Sequence, residues 1–135
     1  MLRVLIVDDE PVIADSLAYA LSDFGYEAIA VYNGQEALKS AAMSKPDVLI
    51  SDVVMPGMNG IEAGIQLRRM LPSCRIILLS GQAATCDLAR DAKLHGHRFE
   101  ILAKPVHPTA MLAYLTGSVS GSDEDLDREL GLKRE

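Results

Sequence analysis

Apolar residues in this chain fall into short unbroken runs, and each run closes on a polar side chain. Val4, Leu5, Ile6 and Val7 lead to Asp8 and Asp9, and Val48, Leu49, Ile50 and Ser51 lead to Asp52. Ile76, Ile77, Leu78 and Leu79 lead to Ser80, and Ile101, Leu102 and Ala103 lead to Lys104. Such runs predict strands buried on both faces, as in a parallel sheet. Between them the apolar spacing turns helical. Pro11 suits a first helical position, and Ile13, Leu17, Leu21 and Phe24 recur on one side until Gly25.

The same pattern continues along the chain. Residues 27 to 31 predict a second strand, and Asn33 with Glu36 three positions on predicts a capped helix. The third strand opens at Pro46 and Asp47 and ends at Asp52. A loop, Met55 to Met58, then leads to Asn59, which caps a third helix with Glu62. Residues 74 to 79 predict the fourth strand, roughly 85 to 95 a fourth helix, and 99 to 103 the fifth strand. Pro108 opens a last helix carrying Met111, Leu112 and Leu115. Five βα units in succession imply an α/β fold, a doubly wound parallel sheet with helices on both faces. In open sheets of this class, ligands bind at the strands' C-terminal edge. Asp8, Asp9, Asp52, Ser80 and Lys104 would all converge there.

At 135 residues the chain is long enough for one domain with a real core. No apolar run reaches the ~18 residues of a membrane span. The N-terminus enters a strand without a secretory signal pattern, so a cytoplasmic location is expected. Cys74 and Cys86 lack the spacing of a metal or redox pair and are read as reduced thiols. His95, His97 and His107 likewise lack metal-site spacing and are read as surface or capping residues. Half of the formal charge of −6 lies in residues 118–135, an acidic tail with a linker and one short helical stretch around Leu126 and Leu130. No clustered basic stripe is present, which argues against direct nucleic-acid binding.

The convergent set suggests a specific chemistry. Asp8, Asp9 and Asp52 would repel one another if held close, and a hard dication such as Mg²⁺ removes that conflict. A carboxylate beside such an ion can act as a nucleophile toward phosphorus. Lys104 and Ser80 offer a positive charge and a hydroxyl donor to phosphoryl oxygens. Each residue alone has a plain structural reading: a loop acid, a strand-end cap, a surface lysine. The combination at four strand ends is what carries the inference.

With these residues in place, the chain resembles a two-component response regulator receiver domain of the CheY-like kind. The resemblance rests on Val7 to Glu10, Asp52 to Gly60, Leu79 to Gly81, and Lys104 with Pro105. It covers about residues 2 to 117 and implies a flavodoxin-like five-stranded sheet in the order 2-1-3-4-5. It further implies that Asp52 accepts a phosphoryl group from a sensor histidine kinase or a histidine phosphotransfer protein. Asp9, Asp52 and the main-chain carbonyl of Val54 would bind Mg²⁺, with Asp8 acting mainly through water. Ser80 and Lys104 would contact the phosphoryl group, and the Lys104–Pro105 bond would be cis. Such a domain is no general enzyme; it catalyses only its own phosphorylation and dephosphorylation. It signals to a downstream protein, and the face made by the fourth helix, fifth strand and last helix is also where a homodimer would form. Residues 1–117 would be the receiver and no output domain follows, so the chain reads as a stand-alone receiver or as the receiver part of a longer protein.

One departure stands out. The family usually places Tyr or Phe three residues before the lysine, and here that position is Ile101. Phe99, an even step away, would share the face of Ile101. The segment His95 to Arg98 also reads as one residue longer than the usual turn. Two other functions compete with signalling by phosphorylation. One is a phosphorylation-independent interaction module on the same fold, and the intact residue set speaks against it. The other is a phosphatase with an aspartate nucleophile, as in haloacid-dehalogenase-like enzymes, which carry that aspartate after the first strand rather than the third.

Overall fold

The computed structural model describes residues 2–81, 96 and 99–117. In chain order the elements are β1 (Arg3–Val7), α1 (Pro11–Asp23), β2 (Glu27–Val31), α2 (Gly34–Ser44), β3 (Val48–Asp52), α3 (Gly60–Met70), β4 (Arg75–Ser80), β5 (Glu100–Ala103) and α4 (Pro108–Thr116). The helix predicted over 85 to 95, the turn at 95 to 98 apart from Gly96, and the tail from 118 lie outside the described residues. All five strands are parallel, in the order β2-β1-β3-β4-β5. That is the flavodoxin-like order that the resemblance implies.

Strand alternation divides the core in two. Leu5, Val7, Leu49, Ile76, Leu78 and Ile101 pack on the side of α2 and α3. Val4, Ile6, Ile50, Ile77 and Leu79 pack on the opposite side with Leu17 and Leu21 of α1 and Met111 and Tyr114 of α4. Successive side chains of a strand point to opposite faces, so an unbroken apolar run is what a sheet covered on both sides requires. Each fully buried Leu or Ile contributes about 1.5–3 kcal/mol relative to exposure. Among the described residues, no helix is long and apolar enough to cross a membrane.

Helix ends follow the local chemistry. Pro11 opens α1, and Gly25 follows its end at φ +106°, a conformation that glycine tolerates without cost. At α3 the capping box is complete: Asn59 Oδ1 accepts from the Glu62 N–H at 2.9 Å, and Glu62 Oε1 accepts from the Asn59 N–H at 3.5 Å. At α2 only half forms. Asn33 Oδ1 accepts from the Glu36 N–H at 2.8 Å, but the Glu36 carboxylate turns to the Asn33 side-chain amide at 3.1 Å and the Tyr32 N–H at 3.4 Å. His107 caps α4, its Nδ1 accepting from the Thr109 N–H at 3.3 Å.

Boundaries differ slightly from the sequence expectation. The third strand starts at Val48 rather than Pro46, because Pro46 has no N–H to give and the Asp47 carboxylate bends to accept from the Arg3 N–H at 2.9 Å. The fourth strand starts at Arg75 and includes Ser80. Far from the acidic residues, Arg75 and Glu100 form a two-pronged ion pair, with both contacts at 2.6 Å. The Tyr114 hydroxyl donates to Glu100 Oε1 at 2.5 Å, and the Arg75 guanidinium lies 5.0 Å from the Tyr114 ring centre. This network ties the first residues of β4 and β5 to α4.

Candidate functional site

Four of the five strands, β1, β3, β4 and β5, deliver polar groups to the C-terminal edge. The register sets Val7 beside both Val31 and Ser51, Asp52 beside Leu79, and Ser80 beside Ala103. The residues that follow β1 and β5, and the last residues of β3 and β4, therefore crowd together. Carboxylate oxygens of Asp8, Asp9 and Asp52 all lie within 4.8 Å of one another. Lys104 Nζ sits 3.2 Å from Asp52 Oδ2 and 3.8 Å from Asp8 Oδ2. Asp8, Asp52 and Ser80 are buried, Asp9 is exposed, and Lys104 is half-buried. The Lys104 N–H donates to the Ser80 carbonyl at 2.8 Å, which fixes the two residues side by side. Val54 stands in the β3–α3 loop two residues beyond Asp52, its side chain about half exposed. The Lys104–Pro105 bond is cis, as the resemblance implies.

The electrostatics are unbalanced toward negative charge. Burial is the main reason that Asp52 holds its proton above the usual carboxylate range. Lys104 opposes this, while Asp8 and Asp9 reinforce it. Burial works against the Lys104 ammonium, yet Asp52, Asp8 and Glu10 together outweigh it and raise its proton affinity. Asp8 Oδ1 is occupied by the Glu10 N–H at 2.9 Å, whereas the buried Asp8 Oδ2 has no hydrogen-bond partner. With the Lys104 ammonium 3.8 Å away but no donor in hydrogen-bond reach, this buried oxygen is only partly compensated, and a bound cation would make up the rest. Oxygen-only donors clustered this closely fit Mg²⁺, which prefers carboxylates and retained waters.

Two residues at this edge were not singled out from the sequence. Gly60 opens α3 so close to β3 that a Cβ there would lie 2.2 Å from the Asp52 carbonyl oxygen. Ser51 is fully buried, and its hydroxyl donates to that same oxygen at 2.9 Å. A glycine at the first position of an otherwise well-capped helix was the available signal for Gly60, since glycine is a poor helix former. Phe99 does share the face of Ile101, but it packs against Gly64 of α3 with the Arg68 guanidinium 5.0 Å from its ring centre. Alternation predicted its face correctly, while its partners place it well below the carboxylates.

Comparison with known proteins gives a consistent result. A family model described as the response regulator receiver domain matches residues 4–116. Protein PilH of Pseudomonas aeruginosa is 33% identical over 124 residues, spanning 90% of this chain and all of that protein. The alkaline phosphatase synthesis transcriptional regulatory protein PhoP of Bacillus subtilis is 35% identical over 106 residues, 78% of this chain but only 43% of PhoP. The chain thus spans about half the length of several curated relatives it matches, 55% in the case of the response regulator MprA of Mycobacterium avium. Among solved structures, the chemotaxis protein CheY4 of Vibrio cholerae superposes with a TM-score of 0.76 at 32% identity, covering 88% of this chain and 99% of that one.

Proposed function

Because the chain belongs to the response regulator receiver domain family, we propose that Asp52 is its phosphoacceptor and that the phosphoryl group comes from a sensor histidine kinase or a histidine phosphotransfer protein. The observation that carries this reading is the position of Asp52: a buried carboxylate 3.2 Å from the Lys104 ammonium and grouped with two further carboxylates. In the forward step an Asp52 oxygen attacks phosphorus and the bond from phosphorus to the donor breaks. The donor leaves with the bonding electrons and an acyl phosphate remains. Water attack on that phosphorus reverses the modification, releasing inorganic phosphate and restoring the carboxylate. Lys104 and Ser80 hold phosphoryl oxygens through a charge and a hydrogen bond.

Asp9, Asp52 and the Val54 carbonyl would hold Mg²⁺, with Asp8 contributing through water. Bound there, the ion would neutralise charge on the transferring group. The modified domain then acts by contact with a downstream protein. The face containing β5 and α4, together with the segment before β5, is also where two copies would pair; part of that face lies outside the described residues. A cytoplasmic location fits this partner set.

The test is incubation with Mg²⁺ and acetyl phosphate, followed by intact mass. One gain of about 80 Da, a single phosphoryl group, is expected in the parent and absent in Asp52→Asn. Asp9→Ala should label poorly at low millimolar Mg²⁺. Labelling of Asp52→Asn equal to the parent would sink the assignment. Phosphorylation-independent binding of a partner, unchanged by Asp52→Asn, would instead favour the interaction-module reading.

A further inference from the structure

The peptide that follows Asp52 is restrained on every side. Its N–H, on Val53, donates to the Leu79 carbonyl at 3.2 Å. Its carbonyl oxygen, on Asp52, accepts from the Ser51 hydroxyl at 2.9 Å and lies against the bare Cα of Gly60. The next carbonyl, on Val53, accepts from the Gly60 N–H at 2.8 Å. With this plane anchored, any change of ψ at Asp52 would turn its Cα–Cβ bond about the Cα–C axis, carrying the carboxylate with it. Ser51 occupies a slot of β3 that is otherwise apolar, between Leu49 and Val53 on the α2–α3 side. A hydroxyl in such a slot is unfavourable unless it makes a specific bond, and an alanine or valine would pack there without that burden.

We infer that Ser51 is a positioning residue for Asp52: its hydroxyl, backed by the close approach of Gly60, locks the Asp52–Val53 peptide and so aims the Asp52 carboxylate. The inference rests on the reading of Asp52 as the phosphoacceptor. Ser51 touches no reacting atom; it acts through the main chain of its neighbour. Serine fits because a small side chain must share the space with the start of α3. A Cβ on Gly60 would come within 3.0 Å of Ser51 Oγ as well as striking the Asp52 carbonyl.

The experiment measures acetyl phosphate labelling rates with saturating Mg²⁺ for the parent, Ser51→Ala and Ser51→Thr, alongside thermal melts in EDTA. Loss of aim is expected to lower the maximal rate of Ser51→Ala about tenfold, with the half-saturating phosphodonor concentration unchanged, since small displacements of a reacting group cost that much or more. Ser51→Thr keeps the hydroxyl and should restore the maximal rate. Should threonine prove too large to fold, Ser51→Cys serves instead. Its weakly donating thiol should give a rate between those of the parent and alanine. A maximal rate for Ser51→Ala within twofold of the parent, with only the melting temperature changed, would overturn the inference, as would a folded threonine variant as slow as alanine. If the parent itself fails to label, the reading of Asp52 falls; if the parent labels and Ser51→Ala matches it, only the role of Ser51 falls.

Discussion

At Asp52 burial and the neighbouring carboxylates raise the proton affinity while Lys104 lowers it, and the balance lies on the raised side. Asp52 therefore binds its proton more tightly folded than unfolded. Its contribution to stability is present below the ordinary carboxylate pKa and is lost as pH rises through the folded value. At neutral pH, without metal, the ionised group works against the fold. We expect Asp52→Asn to be more stable than the parent in EDTA at pH 7, by about 1 kcal/mol. The advantage should shrink as pH falls through the carboxylate range, followed by thermal melts at each pH. Cys74 shows the same influence acting on a thiol. Burial pushes its pKa up to about 11, so at pH 8 it holds about 100-fold less thiolate than an ordinary thiol. In a Cys86→Ser background, iodoacetamide should modify native Cys74 at least that much more slowly than unfolded chain. A native rate near the unfolded one would contradict its burial.

β5 shows what an element does with such residues. It is four residues long, with Glu100 at its start and Lys104 just past its end. Glu100 is held by Arg75 and Tyr114, and Ile101 is stiff about its first torsion, as β-branched side chains are. A phosphoryl group on Asp52 would shift a surface only as far as it stabilised one arrangement over another. With no ring at Ile101 to swing and Phe99 held at α3, we expect beryllofluoride to change amide exchange mainly from Ser80 to about Asp91. Equal changes over 99 to 103 would show that β5 relays the signal after all. The strand ends were legible in the sequence because Asp8, Asp52, Ser80 and Lys104 each interrupt an apolar run. What periodicity cannot report is distance between elements. The contact of Gly60 with Asp52 and the meeting of Arg75, Glu100 and Tyr114 join separate stretches of chain, and nothing in the local pattern of any one stretch marks its partner. The capping box expected at α2 forms only by half for a similar reason, since Glu36 had a choice of donors at the Tyr32 N–H and the Asn33 side-chain amide.

For the whole molecule, we expect the acidic edge to make stability depend on dissolved cations. A ligand that binds only the folded state adds about 2.7 kcal/mol at a hundred times its dissociation constant. Mg²⁺ should accordingly raise the melting temperature of the parent by several degrees and leave Asp9→Ala nearly unmoved; an equal rise in both would place the ion elsewhere. The order of residues along the chain adds a further consequence. Asp8, Asp9 and Asp52 all precede Lys104, and a protein is synthesised from its N-terminus. Any early pairing of β1 with β3 brings the carboxylates together while the lysine that balances them has yet to be made. During that interval the carboxylates must stay hydrated, hold a proton or draw counter-charge from the medium, so the growing chain meets alone the charge conflict that Lys104 later eases.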